Sequence, residues 1–233
     1  MFLNNCRHGR DPLRSSRGVS VFQDGAELEL ETGLRGKLRK AGNAPFAVVS
    51  FEDMMPPAEG LTPLYPAPET CVIIYRSFLH WSASLLRKIQ GNESYGPLER
   101  MRIMMQSLRT YGVMLDRIRD KDVVPVCYDT WVQDEAYRQS TLARLQLPGA
   151  DLDLGRVQRY GGGSSFQARA EKAAELATAE RSAQMAADLE YQLLLWTTAR
   201  DIGFMLKLAE VFPHDAERLS QLLDSASAKV TLI

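Results

Sequence analysis

Residues 71–88 constrain the fold more than any other stretch. They read Cys-Val-Ile-Ile-Tyr-Arg-Ser-Phe-Leu-His-Trp-Ser-Ala-Ser-Leu-Leu-Arg-Lys. The first five are apolar, β-branched or aromatic, the pattern of a buried strand in a parallel sheet. Arg76 closes that strand and a helical pattern begins within a few residues. Arg76 and the first helical turn then stand at the carboxyl edge of a sheet, where open α/β folds bind ligands. An arginine there, with Ser77, Ser82 and Ser84 nearby, is suited to holding phosphate or sulfate. The same residues also suit an arginine that ends a strand and meets a carboxylate.

The rest of the chain fits around this unit. Residues 1–3 look like the tail of a short strand, and 4–18 are polar, basic and without periodicity, so they read as loop. Residues 19–31 alternate in places, which suits an exposed strand or a hairpin around Asp24-Gly25. Phe46-Ala-Val-Val-Ser-Phe51 is a second buried strand, and the prolines of 54–68 forbid regular structure after it. Pro97 suits a helix's first position. The following helix places Leu98, Met101, Met105, Leu108, Val113, Leu115 and Ile118 on its apolar face and leaves Arg100, Arg102, Arg109 and Arg117 solvated. Residues 123–128 read as a third strand, with Pro125 pointing to an edge or a start. A helix runs from Asp129 through Tyr137 to Leu145 and stops at Leu147-Pro148-Gly149. Residues 167–181 read as a solvated, alanine-rich helix. Residues 189–211 are apolar nearly all round, hence buried or oligomeric, and a last helix follows Pro213. This order predicts a single three-layer α/β domain over 1–233 whose portion 167–233 is a helical C-terminal part.

Composition narrows the class. The 233 residues (26.1 kDa) are 45% hydrophobic and 24% charged, as in an ordinary globular protein. A net charge of −1 and a pI near 6.3 lack the basic excess of a general nucleic-acid binder. Cys6, Cys71 and Cys127 are widely spaced, and His8, His80 and His214 form no ligand-spaced cluster with them, so neither a disulfide framework nor a metal site is expected. No apolar run reaches the roughly 20 residues that span a bilayer, and the start has no signal-peptide architecture. The expectation is a cytoplasmic protein.

Three further features carry chemistry. Tyr160-Gly161-Gly162-Gly163-Ser164-Ser165-Phe166 offers backbone N–H groups and hydroxyls to an anion, but it also reads as a plain flexible loop. It lacks the Gly-Lys-Ser/Thr of a Walker loop, the closing glycine of a hydrolase elbow and the dinucleotide spacing. Glu52-Asp53 follows a buried strand, where burial can bring a carboxylate into the range of a general base and where a simple turn cap is equally at home. His80, one turn into its helix beside Trp81, is either a second base or a packed histidine.

Together these residues resemble the sulfotransferases that use 3′-phosphoadenylyl sulfate. Arg76 at a strand end, with Ser84 eight residues on in the next helix, is similar to the pair that binds the 3′-phosphate in that family. Arg159-Tyr-Gly-Gly-Gly-Ser-Ser-Phe166 resembles the family's late Arg-Lys-Gly-x-x-Gly-x-Trp loop. There Arg159, Gly161 and Phe166 match, while Tyr160 stands for the lysine and Ser164 for the second glycine. Glu52, after a strand and ahead of Arg76, lies near where the family places its His or Glu base, and the run from 46 to 166 looks closest to divergent bacterial sulfotransferase-like proteins. The resemblance implies a P-loop-like parallel-sheet fold and transfer of a sulfuryl group, without a metal, to an acceptor hydroxyl of a small molecule or carbohydrate. Glu52 would be the base. Arg76, Ser84, Arg159, Gly161, Gly162, Gly163, Ser164 and Ser165 would bind the nucleotide.

One departure stands out. The family's Lys/Arg-Ser-Gly-Thr loop, whose cation stabilises charge on the bridging oxygen, has no counterpart here. Arg14-Ser-Ser-Arg-Gly18 comes nearest, without a buried strand before it. The expectation is a chain that starts beyond that loop, with Met1-Phe-Leu-Asn-Asn resembling the family's second strand. A loop encoded upstream would support an enzyme. If it is lost, the alternatives are an inactive nucleotide- or anion-binding relative and a helical interaction module that oligomerises through 189–211.

Overall fold

A computed structural model describes the backbone of residues 2–8, 21–23, 26–27, 48–52, 70–147, 149–155, 166 and 176–230, with side chains described only between 70 and 224. The chain divides into two compact units, Met1–Glu69 and Thr70–Ile233.

In the first unit, strands β1 (Phe2–His8), β2 (Val21–Gln23), β3 (Ala26–Glu27) and β4 (Val48–Glu52) form a sheet in the order β3-β2-β1-β4. Strands β2 and β3 pair antiparallel, which fits the hairpin alternative; Asp24 and Gly25 themselves lie outside the described residues. Strand β1 runs antiparallel to β2 and parallel to β4. Polar residues 4–8 are strand rather than loop, because pairing with β4 extends them; the register shift between Leu3 and Arg7 absorbs the misfit.

The second unit holds strand β5 (Cys71–Tyr75), helices α1 (Phe78–Gln90) and α2 (Pro97–Arg117), and strand β6 (Val123–Cys127). After them come α3 (Tyr128–Gln133), α4 (Glu135–Arg144), a 3-10 turn at Thr178–Glu180, and α5 (Arg181–Gln184). The chain ends with α6 (Leu189–Ala199), α7 (Ile202–Val211) and α8 (Pro213–Val230). The unit is thus α/β, mostly helical, around a two-stranded parallel sheet in which Cys71 pairs with Val123 and Tyr75 with Cys127. Only one face of β5 is covered: Ile73 is buried, while Val72 and Ile74 are exposed. The fully buried strand expected from composition is therefore a half-buried one.

Pro125 sits in mid-strand, opposite Ile73. It is tolerated there because, among the described residues, no strand pairs with β6 on the side away from β5. The Cys127 N–H, which points the same way, donates instead to the Tyr137 hydroxyl at 2.8 Å.

The helices pack on apolar stripes. Phe78, Leu79, Ala83, Leu86 and Ile89 of α1 recur at helical spacing and are all buried. Helix α2 buries Ile103, Met104, Ser107, Leu108, Tyr111, Met114 and Leu115. That stripe is rotated from the expected one: Leu98 and Val113 are exposed, and Arg100 is half-buried against Glu190 of α6. The polar tips of Ser107 and Tyr111 hid the true face in the sequence. Two helical stretches that read as continuous are each two helices. Asp134 starts α4 by accepting the Tyr137 N–H at 3.0 Å, and Asp201 starts α7 by accepting the Phe204 N–H at 3.0 Å. Each such cap contributes about 1 kcal/mol. The apolar stretch 189–211 buries Tyr191, Leu194, Leu195, Phe204 and Leu208, and leaves Leu189, Leu193, Trp196, Ile202 and Leu206 exposed. Among the described residues, no helix is long and apolar enough to cross a membrane.

Candidate functional site

The parallel register brings the carboxyl ends of β5 and β6 side by side, so Arg76 and the first turn of α3 become neighbours. Arg76 Nη2 donates to Asp129 Oδ1 at 2.8 Å, and its guanidinium lies 5.3 Å from the centre of the Tyr128 ring. The other Asp129 oxygen accepts the Ser77 N–H at 2.8 Å. Behind the turn, the Tyr111 hydroxyl donates to the Arg76 carbonyl at 2.7 Å, and its ring packs against Phe78, Trp81 and Phe204. An aromatic core thus fixes the backbone that aims Arg76.

The opening turn of α1 is closed by carboxylates from distant elements. Buried Asp215 accepts from Ser77 Oγ at 2.7 Å and from the Leu79 N–H at 3.3 Å. The positive end of α1 therefore faces two protein carboxylates, Asp129 and Asp215. The three serines read as anion donors are turned inward. Ser77 is bound to Asp215, buried Ser82 donates to the Phe78 carbonyl at 2.7 Å, and Ser84 donates to the His80 carbonyl at 2.8 Å.

The segment from 178 to 181 returns over the same edge. The buried Thr178 carbonyl accepts from Arg76 Nη2 at 3.4 Å, and Arg181 Nη1 donates to Ser84 Oγ at 2.8 Å. Arg181 was expected on a solvated helix face; instead it is 8% exposed. The Phe166 ring lies 5.8 Å from its guanidinium carbon, and that ring also lines a shallow cleft of about 240 Å³ with Arg87, Gln184 and Asp188. Burial, and then the repulsion of Arg76, pulls the Arg181 pKa below its ordinary value. His80 is likewise lowered, first by burial and with Arg76 and Arg181 acting in the same direction, so its neutral form is favoured against the pull of Asp129 and Asp215. Three buried nitrogens of this cluster have no hydrogen-bond partner: Arg76 Nε, Arg181 Nε and His80 Nδ1.

Of the residues picked from sequence, Ser84 and Phe166 meet Arg181, and Arg76 reaches the neighbouring Thr178 carbonyl. Glu52 is the last residue of β4, paired in register with His8 within the first unit. Arg159, Gly161, Gly162, Gly163, Ser164 and Ser165 lie outside the described residues. Sequence reasoning passed over Arg181, Thr178, Asp129 and Asp215 as site residues. No local pattern marks them, since each acts across more than 50 positions of chain. Among the described residues, no group of His, Cys, Asp and Glu could hold a metal ion. Comparison with protein-family models, curated proteins and solved structures gave no match to this chain.

Proposed function

We propose that this is a sulfotransferase-like protein whose site at the β5–β6 edge binds the 3′-phosphate of 3′-phosphoadenylyl sulfate. The convergence of Arg76, Ser84, Phe166 and the buried Arg181 on one cluster carries the reading. The donor set suits a phosphate: Arg76 and Arg181 each keep a buried Nε without an acceptor, and among the described residues only Arg76 has an ion-pair partner, Asp129. The finer fold is a three-layer P-loop-like domain, in which a further layer would cover the exposed Val72–Ile74 face of β5.

Bound, the nucleotide would supply an activated sulfuryl group and a phosphate leaving group. The residues would then divide the work. Arg76 and the 159–165 loop neutralise and orient the 3′-phosphate. The resemblance gives Glu52, in the first unit, the part of the base that would take the proton of an acceptor hydroxyl, from a small molecule or carbohydrate, as the sulfuryl group passes to that oxygen and the nucleotide's phosphate leaves. A binding-only relative is the second reading, because the 233 residues contain no Lys/Arg-Ser-Gly-Thr loop. A cytoplasmic location goes with either.

Thermal melting with 3′-phosphoadenosine 5′-phosphate tests the binding. At 100 times Kd a ligand stabilises by about 2.7 kcal/mol, so the wild type should melt several degrees higher and Arg76→Ala should lose that gain. No shift in the wild type, or an equal shift in Arg76→Ala, refutes the site. Incubation with sulfur-labelled 3′-phosphoadenylyl sulfate and a panel of hydroxyl acceptors separates transfer from binding. Label transferred by the wild type but not by Glu52→Gln supports the enzyme, and no transfer leaves the binding-only relative.

A further inference from the structure

Ser84 stands where the resemblance puts a phosphate-binding hydroxyl, yet its geometry serves another purpose. A serine hydroxyl has one proton, and here it goes to the His80 carbonyl at 2.8 Å. Its oxygen receives Arg181 Nη1, also at 2.8 Å. Arg181 itself is 8% exposed and has no carboxylate within ion-pair distance among the described residues. Its Nε is buried without an acceptor, and its partners are a neutral hydroxyl and the face of Phe166. Among the described residues this buried guanidinium has no ion-pair partner, a costly arrangement that the more distant pull of Asp129 offsets only in part and the repulsion of Arg76 makes costlier. Fold stability alone gives no reason to keep two cations around one carboxylate. An incoming dianion supplies the missing charge and accepts from both planar forks.

We propose that Arg181 is a direct ligand of the nucleotide's 3′-phosphate, acting with Arg76, and that Ser84 is the positioning residue that aims it. This rests on the nucleotide reading above and deepens it. A phosphate monoester, with its second negative charge, fits two guanidiniums better than a sulfate monoester does. Discrimination therefore lies at the 3′-phosphate, and the arginine responsible lies outside the glycine–serine loop.

Calorimetric titration with 3′-phosphoadenosine 5′-phosphate and, in parallel, adenosine 5′-phosphate tests this. The wild type should prefer the bisphosphate. Arg181→Gln should weaken the bisphosphate about 10- to 100-fold, the scale of a lost charge-assisted contact, and leave adenosine 5′-phosphate within about 3-fold. Ser84→Ala should weaken the bisphosphate less, and add nothing once Arg181 is replaced. A merely structural role for Arg181 would weaken both ligands together, and that result overturns the proposal. So does Arg181→Gln keeping the full preference while Arg76→Ala loses it, a result that leaves the nucleotide reading standing. Absence of any preference in the wild type overturns both. Should Arg181→Gln not fold, Arg181→Lys keeps the charge but loses the fork. A bisphosphate-specific loss of about 5-fold then supports the proposal, and wild-type discrimination overturns it.

Discussion

Asp129 is the residue at which stability and binding should pull apart. Its carboxylate holds Arg76 Nη2 and the Ser77 N–H, each at 2.8 Å, and the two paired side chains are only 11% and 17% exposed. Asp129→Ala leaves a guanidinium without its counter-charge and a backbone donor without its acceptor. Breaking a fully buried pair costs about 3–5 kcal/mol. The residual exposure of both groups lets water repay part of that, so a loss of about 3 kcal/mol is expected. For a unit of this size it corresponds to roughly 6–12 °C in melting temperature. Asp129→Asn keeps an acceptor for Ser77 and should lose about half as much. Trp81, Trp131 and Trp196 all lie in the Thr70–Ile233 unit, so tryptophan fluorescence during urea or thermal unfolding reports this unit alone. The same carboxylate competes with any anion for Arg76. The melting gain from 3′-phosphoadenosine 5′-phosphate should therefore be larger in Asp129→Ala than in the wild type, although the variant is less stable without ligand. A variant within about 0.5 kcal/mol of wild type would refute the structural half of this argument. A ligand gain that stays equal or shrinks would refute the competition.

Three further outcomes follow from neighbouring contacts. Asp215→Ala strips the acceptor from Ser77 Oγ and the Leu79 N–H, both buried, and should lower stability by about 2–3 kcal/mol in urea titration; a loss under about 0.5 kcal/mol would show that α1 does not depend on this distant cap. Tyr111→Phe removes the hydroxyl that donates to the Arg76 carbonyl and should cost about 1 kcal/mol, with weaker bisphosphate binding as the turn loosens; unchanged binding would uncouple the turn from the site. His80 folds with its pKa below 6.5, chiefly through burial, so the unfolded chain binds more protons as pH falls. Its contribution to stability is complete above pH 6.5 and declines as pH drops toward the lowered value. Between pH 7.5 and 5 the urea midpoint of His80→Gln should consequently fall less than that of the wild type; parallel profiles would show that His80 does not titrate on folding.

The elements with a strong local signal could be read from the sequence. Strand β5, helix α1, the proline start of α2 and strand β6 all combine an unambiguous period or run with turn residues at their ends. What could not be read depends on partners far along the chain. Polar residues 4–8 become strand because β4 pairs with them, and the broken helices at 134 and 201 follow from single aspartates whose capping role a periodicity count does not see.

The site divides along the same line. Arg76 was legible because it follows a strand directly, and a strand end is a local feature. The turning inward of Ser77, Ser82 and Ser84 was not, since a hydroxyl's proton goes to whichever acceptor the fold brings near, here Asp215 and two helix carbonyls. Arg181 is the clearest case. On its own turn it sits among alanines and polar residues, the composition of a solvated face, and only contact with Ser84, 97 positions earlier, reveals a buried cation. A cation with no local reason to be buried, held beside a second one, is where the physics of the fold and the chemistry of an anionic ligand make different demands. The fold alone would favour a neutral side chain at 181, and the anionic ligand proposed above would give the arginine its counter-charge.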